Sequence, residues 1–344
     1  MTYRILSAIV EQSTTPRGRE EDENMKKMLA LVMAAMLVVS MAACAPTQKG
    51  NDKYVVGVCQ LTPHVALDAA TEGFVEALKA ELGEDKVEID VQMGGGDSAT
   101  CAPIVNAFVS KNVDLIMANA TPALQAAVAA TSDIPVLGTS VTEYGVALDI
   151  ADFNGTVGGN VSGTSDLAPL DQQAQMLKEW FPTAQNVGLL YCSAEANSKY
   201  QVDTVQGYLE AMGIACKQYA FADTNDLQSV TQKAADNSDV IYIPTDNAVA
   251  SAAGTVDGIC RAAGVPVIVG EEGIAAGCGI ATLSISYYDL GYTTGKMAAK
   301  ILTGEADIST MPVAYAENFT KKYNADICDA LGVTPPEGYV AIGE

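Results

Sequence analysis

Histidine is all but missing from this sequence: His64 is the only one in 344 residues. A metal cluster or a Ser-His-Asp triad would hang entirely on that one side chain. Also absent are a GxSxG elbow, a Walker A loop and a GxGxxG fingerprint, the local patterns of a hydrolase, a phosphate cradle and a dinucleotide site. Gly94-Gly95-Gly96-Asp97 lacks the fingerprint spacing and reads as a flexible turn after a strand, and Asn154 to Asn160 as a glycine-rich turn at the edge of a lobe. Basic charge is scarce. Nineteen Lys and Arg against 42 Asp and Glu give a formal charge of −23, which excludes a nucleic-acid partner. The eight cysteines include no CxxC pair, so neither a zinc site nor a regular disulfide framework is indicated. No metal and no cofactor is expected, and Glu271-Glu272 reads as a solvated or ion-binding pair rather than a catalytic acid. No apolar stretch beyond residue 44 is long enough to span a bilayer.

The N-terminus is where a long apolar run does occur. Met25-Lys26-Lys27 is basic, Met28 to Met41 is almost unbroken apolar sequence, and Met41-Ala42-Ala43-Cys44 ends it with small residues before a cysteine. At about 14 residues the run is too short for a membrane helix and has the layout of an export signal. Its end resembles the lipobox of bacterial lipoproteins, which implies acylation of Cys44 and a mature chain held at the outer face of the cell membrane. Glu20-Glu21-Asp22-Glu23 puts acid where a basic region belongs, so translation is expected to begin at Met25. Residues 1–43 are therefore set apart as an unused start plus signal peptide, and 44–53 as lipid anchor and polar linker.

The remaining 300 residues suffice for two lobes of ordinary size. Short β-branched runs alternate with amphipathic segments. Strands are predicted at Tyr54–Leu61, Val87–Met93, Asp114–Ala120, Pro135–Val141, Asn186–Cys192, Ala215–Ala222, Val240–Pro244, Pro266–Val269 and Ile280–Ser286. Helices between them include Ala66–Leu82, Leu170–Trp180, Val202–Met212, Ala248–Ala263 and Leu290–Leu302. In the first of these, Leu67, Ala70, Phe74, Ala77, Leu78 and Leu82 recur at helical spacing. Strict βα alternation predicts an α/β fold with doubly wound parallel sheets. The stretches from Asp114 and from Asp239 repeat one pattern of strand, Thr-led turn, Ala-rich helix and Pro-Val strand, so two similar lobes are expected. Crossings between them are placed at Gly163–Asp166, Ser284–Ser286 and Ser309–Met311. The lobes are then 54–165 plus 286–309, and 166–285 plus 310–344.

In open parallel sheets a ligand binds beyond the carboxyl ends of the strands, facing helix N-termini. Small polar residues occupy those ends: Gln60, Thr121, Thr139 and Ser140 in the first half; Ser193, Glu195, Asn197, Ser198, Thr245, Asp246, Asn247 and Glu271 in the second. Hydroxyls and free N–H groups can hold a carboxylate without arginine, and Asp246 or a glutamate can hold an ammonium group. Taken singly, such residues are ordinary helix caps. Tyr191, Tyr242, Tyr287 and Tyr288 could offer a face to an aromatic ring, the alternative being core packing.

These residues carry a resemblance. "HVALDAATEGFVEAL", "GTSD", "SAEANSKYQV", "YIPTDNAVAS", "VPVIVGEEG" and "ISYYDLGYTTGKMAAKIL" resemble the ABC-transporter substrate-binding proteins of the tryptophan/tyrosine-type family, a branch of the type I periplasmic-binding fold. Val65 stands where that family usually has Pro. The resemblance covers about Tyr54 to Gly332 and implies two lobes joined by a three-strand hinge, closing over an aromatic or hydrophobic amino acid. It also implies a monomer that binds rather than catalyses, with an ABC permease and its ATPase as partners. Alternatives on the same fold are a receptor for a sugar, nucleoside or other solute, and a sensor lipoprotein; an exported enzyme is the rival of another class.

Overall fold

In β1 (Tyr54–Gln60) every residue from Val56 onward is buried, so both faces of the strand are covered, as the middle of a parallel sheet requires. The same holds for β3 (Leu115–Asn119) and β4 (Val136–Val141), whereas β2 (Val87–Met93) turns outward and ends a sheet. The computed structural model describes residues 53–316 and 318–343. The expectations for residues 1–43, and for Cys44 as lipid anchor, lie outside the described residues.

The first sheet runs in the order β2-β1-β3-β4-β5-β11, with all pairs parallel. Here β5 is Val161–Ser165 and β11 is Ala314–Tyr315. Its helices are α1 (Val65–Leu82), α2 (Ser98–Lys111), α3 (Thr121–Ala130) and the short α4 (Tyr144–Ala147). After β5 the chain crosses to α5 (Leu170–Trp180), β6 (Asn186–Cys192), α6 (Ala196–Ala211), β7 (Ala215–Phe221) and α7 (Thr224–Ala235). It continues with β8 (Val240–Ile243), α8 (Asn247–Ser251), α9 (Ala253–Ala263), β9 (Val267–Val269), α10 (Glu272–Gly277) and β10 (Ala281–Ser284). Helix α11 (Tyr287–Leu302) and β11 return to the first lobe; β12 (Thr320–Tyr323), α12 (Ala325–Leu331) and β13 (Val340–Ala341) complete the second. The second sheet is ordered β7-β6-β8-β9-β10-β12-β13, with β12 antiparallel to β10. Each sheet has an apolar cluster on both faces, so the molecule is two doubly wound α/β lobes.

The structure moves several predicted boundaries. The third crossing was expected at 309–311, but β11 pairs with β5, and the Ser162 hydroxyl and the Gly155 carbonyl bind Met311 and Val313. The return to the second lobe therefore follows Tyr315, because a two-residue strand leaves no periodic signal. The single helix expected over Ala248–Ala263 is two, broken at Ala252, whose φ of −133° and ψ of 25° leave the helical region. Helix α11 starts at Tyr287 rather than Leu290, since the Ser286 hydroxyl caps it by accepting from the Asp289 N–H.

Helices α1 and α11 nearly touch. A Cβ on Gly291 would lie 1.9 Å from the Ala70 carbonyl oxygen, and one on Gly73 would lie 2.1 Å from that of Tyr288. This contact fixes the start of α1, and with it His64, beside the crossing that leads into α11.

Candidate functional site

The carboxyl ends of both sheets meet at a cleft. From the first lobe and its crossing come His64, Leu67, Ser140, Thr142 and Asp166; from the second come Asn197, Thr245, Asp246, Asn247 and Glu271, with Tyr287 between. The space these residues enclose between them is about 10 Å³, room for roughly one water. A solute can enter only if the lobes part.

The second-lobe carboxylates are anchored to their own lobe. Asp246 precedes α8 and accepts from the Cys192 and Val249 N–H groups, one on each oxygen. The ammonium role expected for it therefore meets a side chain whose oxygens already serve the backbone. Glu271 caps α10 by accepting from the Gly273 and Ile274 N–H groups. Glu195 accepts from the Asn247 and Ala248 backbone N–H groups and from the side-chain amides of Asn197 and Asn247. Burial, then the neighbouring Asp246, pushes Glu195 up to about 8, while these donors pull the other way. Burial raises Asp246 too, and lifts Glu271 to about 7.

The other side of the cleft is less complete. Asp166, just past β5, accepts from the Tyr287 hydroxyl at 2.8 Å on Oδ2, and burial raises its pKa. Its Oδ1 is buried with no partner, as are Ser140 Oγ and His64 Nδ1 on the same side and Asn197 Oδ1 on the second lobe. Ser140 has a φ of 53°, a left-handed backbone that costs a side-chain-bearing residue about 1 kcal/mol or more. His64 Nε2 lies 3.1 Å from Asn247 Oδ1, a hydrogen bond across the cleft. A serine paired with the imidazole, as hydrolysis would need, is missing among the described residues, since Nδ1 has no partner.

Six of the residues named from sequence line this cavity: Ser140, Asn197, Thr245, Asp246, Asn247 and Glu271. Glu195 stands behind them, beside a second opening of the cleft. Gln60 faces inward, bonding Asp68, Thr71 and the Thr62 carbonyl. Thr139 joins a hydroxyl chain to Thr164 and Thr294 inside the first lobe. Thr121 is buried at the start of α3 with its hydroxyl unpartnered, away from the cavity lining. Ser193 is exposed and bonds the Phe221 carbonyl, and Ser198 lies beside Asn197, bonded to Asp246. Of the four tyrosines, Tyr287 alone lines the cavity. Tyr242 bonds Gln173 in the core, Tyr191 bonds Gln218, and Tyr288 stacks on Tyr292. Asp166, Thr142 and His64 were not among the ligand-binding candidates chosen from sequence, although His64 was singled out as the only histidine and Asp166 as the end of a crossing; the position of Asp166 directly after a fully buried strand was the signal available.

Two α/β lobes, three crossings and polar strand ends converging on an interlobe cleft are the layout of a two-lobed solute receptor. Residues 55–342 match the family described as ABC transporter substrate binding protein, and the chain belongs to that family. It is 32% identical over 320 residues to a tyrosine-binding protein of Clostridioides difficile strain R20291, covering 89% of this chain and 92% of that one. Among solved structures it is similar to an ABC domain in complex with L-Trp from Streptococcus pneumoniae, with a TM-score of 0.80 and 32% identity over 85% of this chain and all of that one. The ligand-free, open structure of a Clostridium difficile substrate binding protein with adhesive properties is 37% identical, covering 84% of this chain and 99% of that one, yet gives 0.64. The lobes here thus match the liganded relative better than the open one, against the order of sequence identity.

Proposed function

We propose that this protein captures an aromatic amino acid, tyrosine or tryptophan, and delivers it to an ABC permease and its ATPase. The observation that carries this reading is the set of unpartnered buried acceptors on a cleft without arginine or lysine: Asp166 Oδ1 and Asn197 Oδ1 face a solute that must donate. An ammonium group is all donor, and Asp166 supplies the charge that pairs with it. The unpartnered hydroxyl of Ser140 stands on the same lining for the carboxylate, while that of Thr142 serves Asp166. The aromatic side chain is supported by the substrates named for the two relatives, tyrosine and L-Trp. The receptor works as a monomer outside the cell membrane, tethered through an acylated Cys44 that keeps it near its permease. Titration calorimetry of the mature chain against L-tyrosine, L-tryptophan, L-leucine, galactose and ribose tests the reading. Heat with the aromatic amino acids is expected; binding of the sugars alone would overturn it.

A further inference from the structure

The tautomer of His64 can be deduced from its neighbours. Three N–H donors converge on Glu195 Oε2, the backbone N–H of Asn247 and the side-chain amides of Asn197 and Asn247, and a fourth, from Ala248, reaches Oε1. An oxygen so supplied acts as the acceptor whether or not the carboxyl holds a proton, so the amide nitrogen of Asn247 faces Glu195. Its amide oxygen then faces His64, and Nε2, 3.1 Å away, must be the donor. Partial burial lowers the pKa of the ring, with Asn247 and Asp68 opposing, so the half-buried imidazole carries one proton, on Nε2. Nδ1 is left as a bare lone pair, buried and without a partner, on a residue that lines the cavity. His64 precedes α1 in the first lobe and caps no backbone group with its side chain, so helix capping does not account for its placement.

We infer that His64 couples solute to closure: Nε2–H holds Asn247 across the cleft while Nδ1 accepts an N–H from the solute's ammonium group. This rests on the amino-acid reading above. With Asp166 Oδ1 and Asn197 Oδ1 it makes three unpartnered atoms that can only accept, beside the Ser140 hydroxyl, which can do either, on residues that line the cavity. Closing on a solute without an amine leaves Nδ1 dry and unpaired. Closing on an amino acid satisfies it, and the ring then ties the lobes together. The closed state is favoured by solutes that donate there, through their differential affinity for it.

A single histidine makes the test direct. The chain is prepared without a histidine tag and with 15N-labelled histidine, so that every imidazole signal in an NMR spectrum belongs to His64. With saturating L-tryptophan the proton should sit on Nε2, and the Nδ1 resonance should move from its position in the free protein. Indole-3-propionate, which lacks the amine, should leave Nδ1 where a bare lone pair resonates. Calorimetry adds the second arm. His64→Ala should weaken L-tryptophan binding about tenfold, and removing the solute amine should then cost several-fold less than it costs the unaltered protein. A proton on Nδ1 in the complex, the same Nδ1 shift with both solutes, or losses that simply multiply would each overturn the inference. An unaltered chain that binds neither L-tryptophan nor L-tyrosine overturns the amino-acid reading itself, and the amine contact falls with it.

Discussion

Glu195 and Asp166 are both buried carboxylates at strand ends beside one cleft, yet Glu195 receives four N–H donors from its own lobe while Asp166 keeps an oxygen open. The contrast extends to their surroundings. Asp246 and Glu271 hold down helices of five and six residues, which backbone hydrogen bonds alone would not sustain. Across the cleft, His64, Ser140 and Asp166 each leave one atom unpartnered. The second-lobe acids are spent on their own lobe's N–H groups; the polar atoms left without a partner are those of the first-lobe side, the crossing and Asn197. Acidity in a cleft is therefore a poor guide to binding until each oxygen's donors have been counted.

The largest effect should come from removing one of the second-lobe acids. Glu195→Ala leaves several buried N–H groups without an acceptor, and we expect a stability loss of about 3 kcal/mol or more, read as a lower urea midpoint. Loss of solute affinity with unchanged stability would erase the contrast, because Glu195 would then act on solute directly. Asp166→Asn should do the reverse. It keeps an acceptor for the Tyr287 hydroxyl and removes a buried charge, so the melting temperature should hold or rise. Affinity for L-tryptophan should fall about 10- to 100-fold, the worth of one charge-assisted hydrogen bond. An unchanged dissociation constant in calorimetry would remove Asp166 from the site.

Much of this architecture could be read from the chain. Buried runs such as VVGVCQ and LIMAN, set between amphipathic helices, announce parallel strands and two lobes. "PTDN" and "GEEG" locate the second-lobe strand ends, because a cap and a binding group use the same residue types there. That ambiguity is also where sequence reasoning stops: Asp246 looks like a ligand for an ammonium group until the N–H groups of Cys192 and Val249 are found on it. Asp166 was read as part of a crossing, since its importance depends on Tyr287, 121 residues away. His64 pairs with Asn247 across 183 residues, a separation no local pattern spans.

A smaller effect should separate the two lobes' backbones. Ala120, between β3 and α3, has a φ of 94° and a ψ of 156°, a region suited to glycine. Ala120→Gly should therefore raise stability by about 1 kcal/mol, the relieved strain exceeding the added freedom of the unfolded chain. In the second lobe Ala252 has a negative φ, and Ala252→Gly should lower stability by several tenths of a kcal/mol. Urea midpoints of the two variants moving in the same direction would show that the first-lobe strand end is not strained.

The smallest effect is a dependence on pH. Burial holds the pKa of His64 below its ordinary value in the closed lobes, whereas in the open form a solvated ring should titrate near about 6.5. A group whose pKa is lowered on closing gives its full contribution above the open-state value, and that contribution is lost as pH falls, because closing must then strip a proton. The charge of Asp68 on α1 acts on the ring, and Asp166, Glu195, Asp246 and Glu271 around the cleft also titrate. The raised acids act in the opposite sense, since closing on them favours proton uptake. Their influence cancels in the ratio of affinities between the unaltered protein and His64→Gln. That ratio should be flat above about pH 7.5 and fall about fourfold by pH 6, as one proton on one solvated imidazole requires. A ratio that rises on acidification would mean that the imidazolium is the closed form, and would place a carboxylate, not a solute amine, against Nδ1.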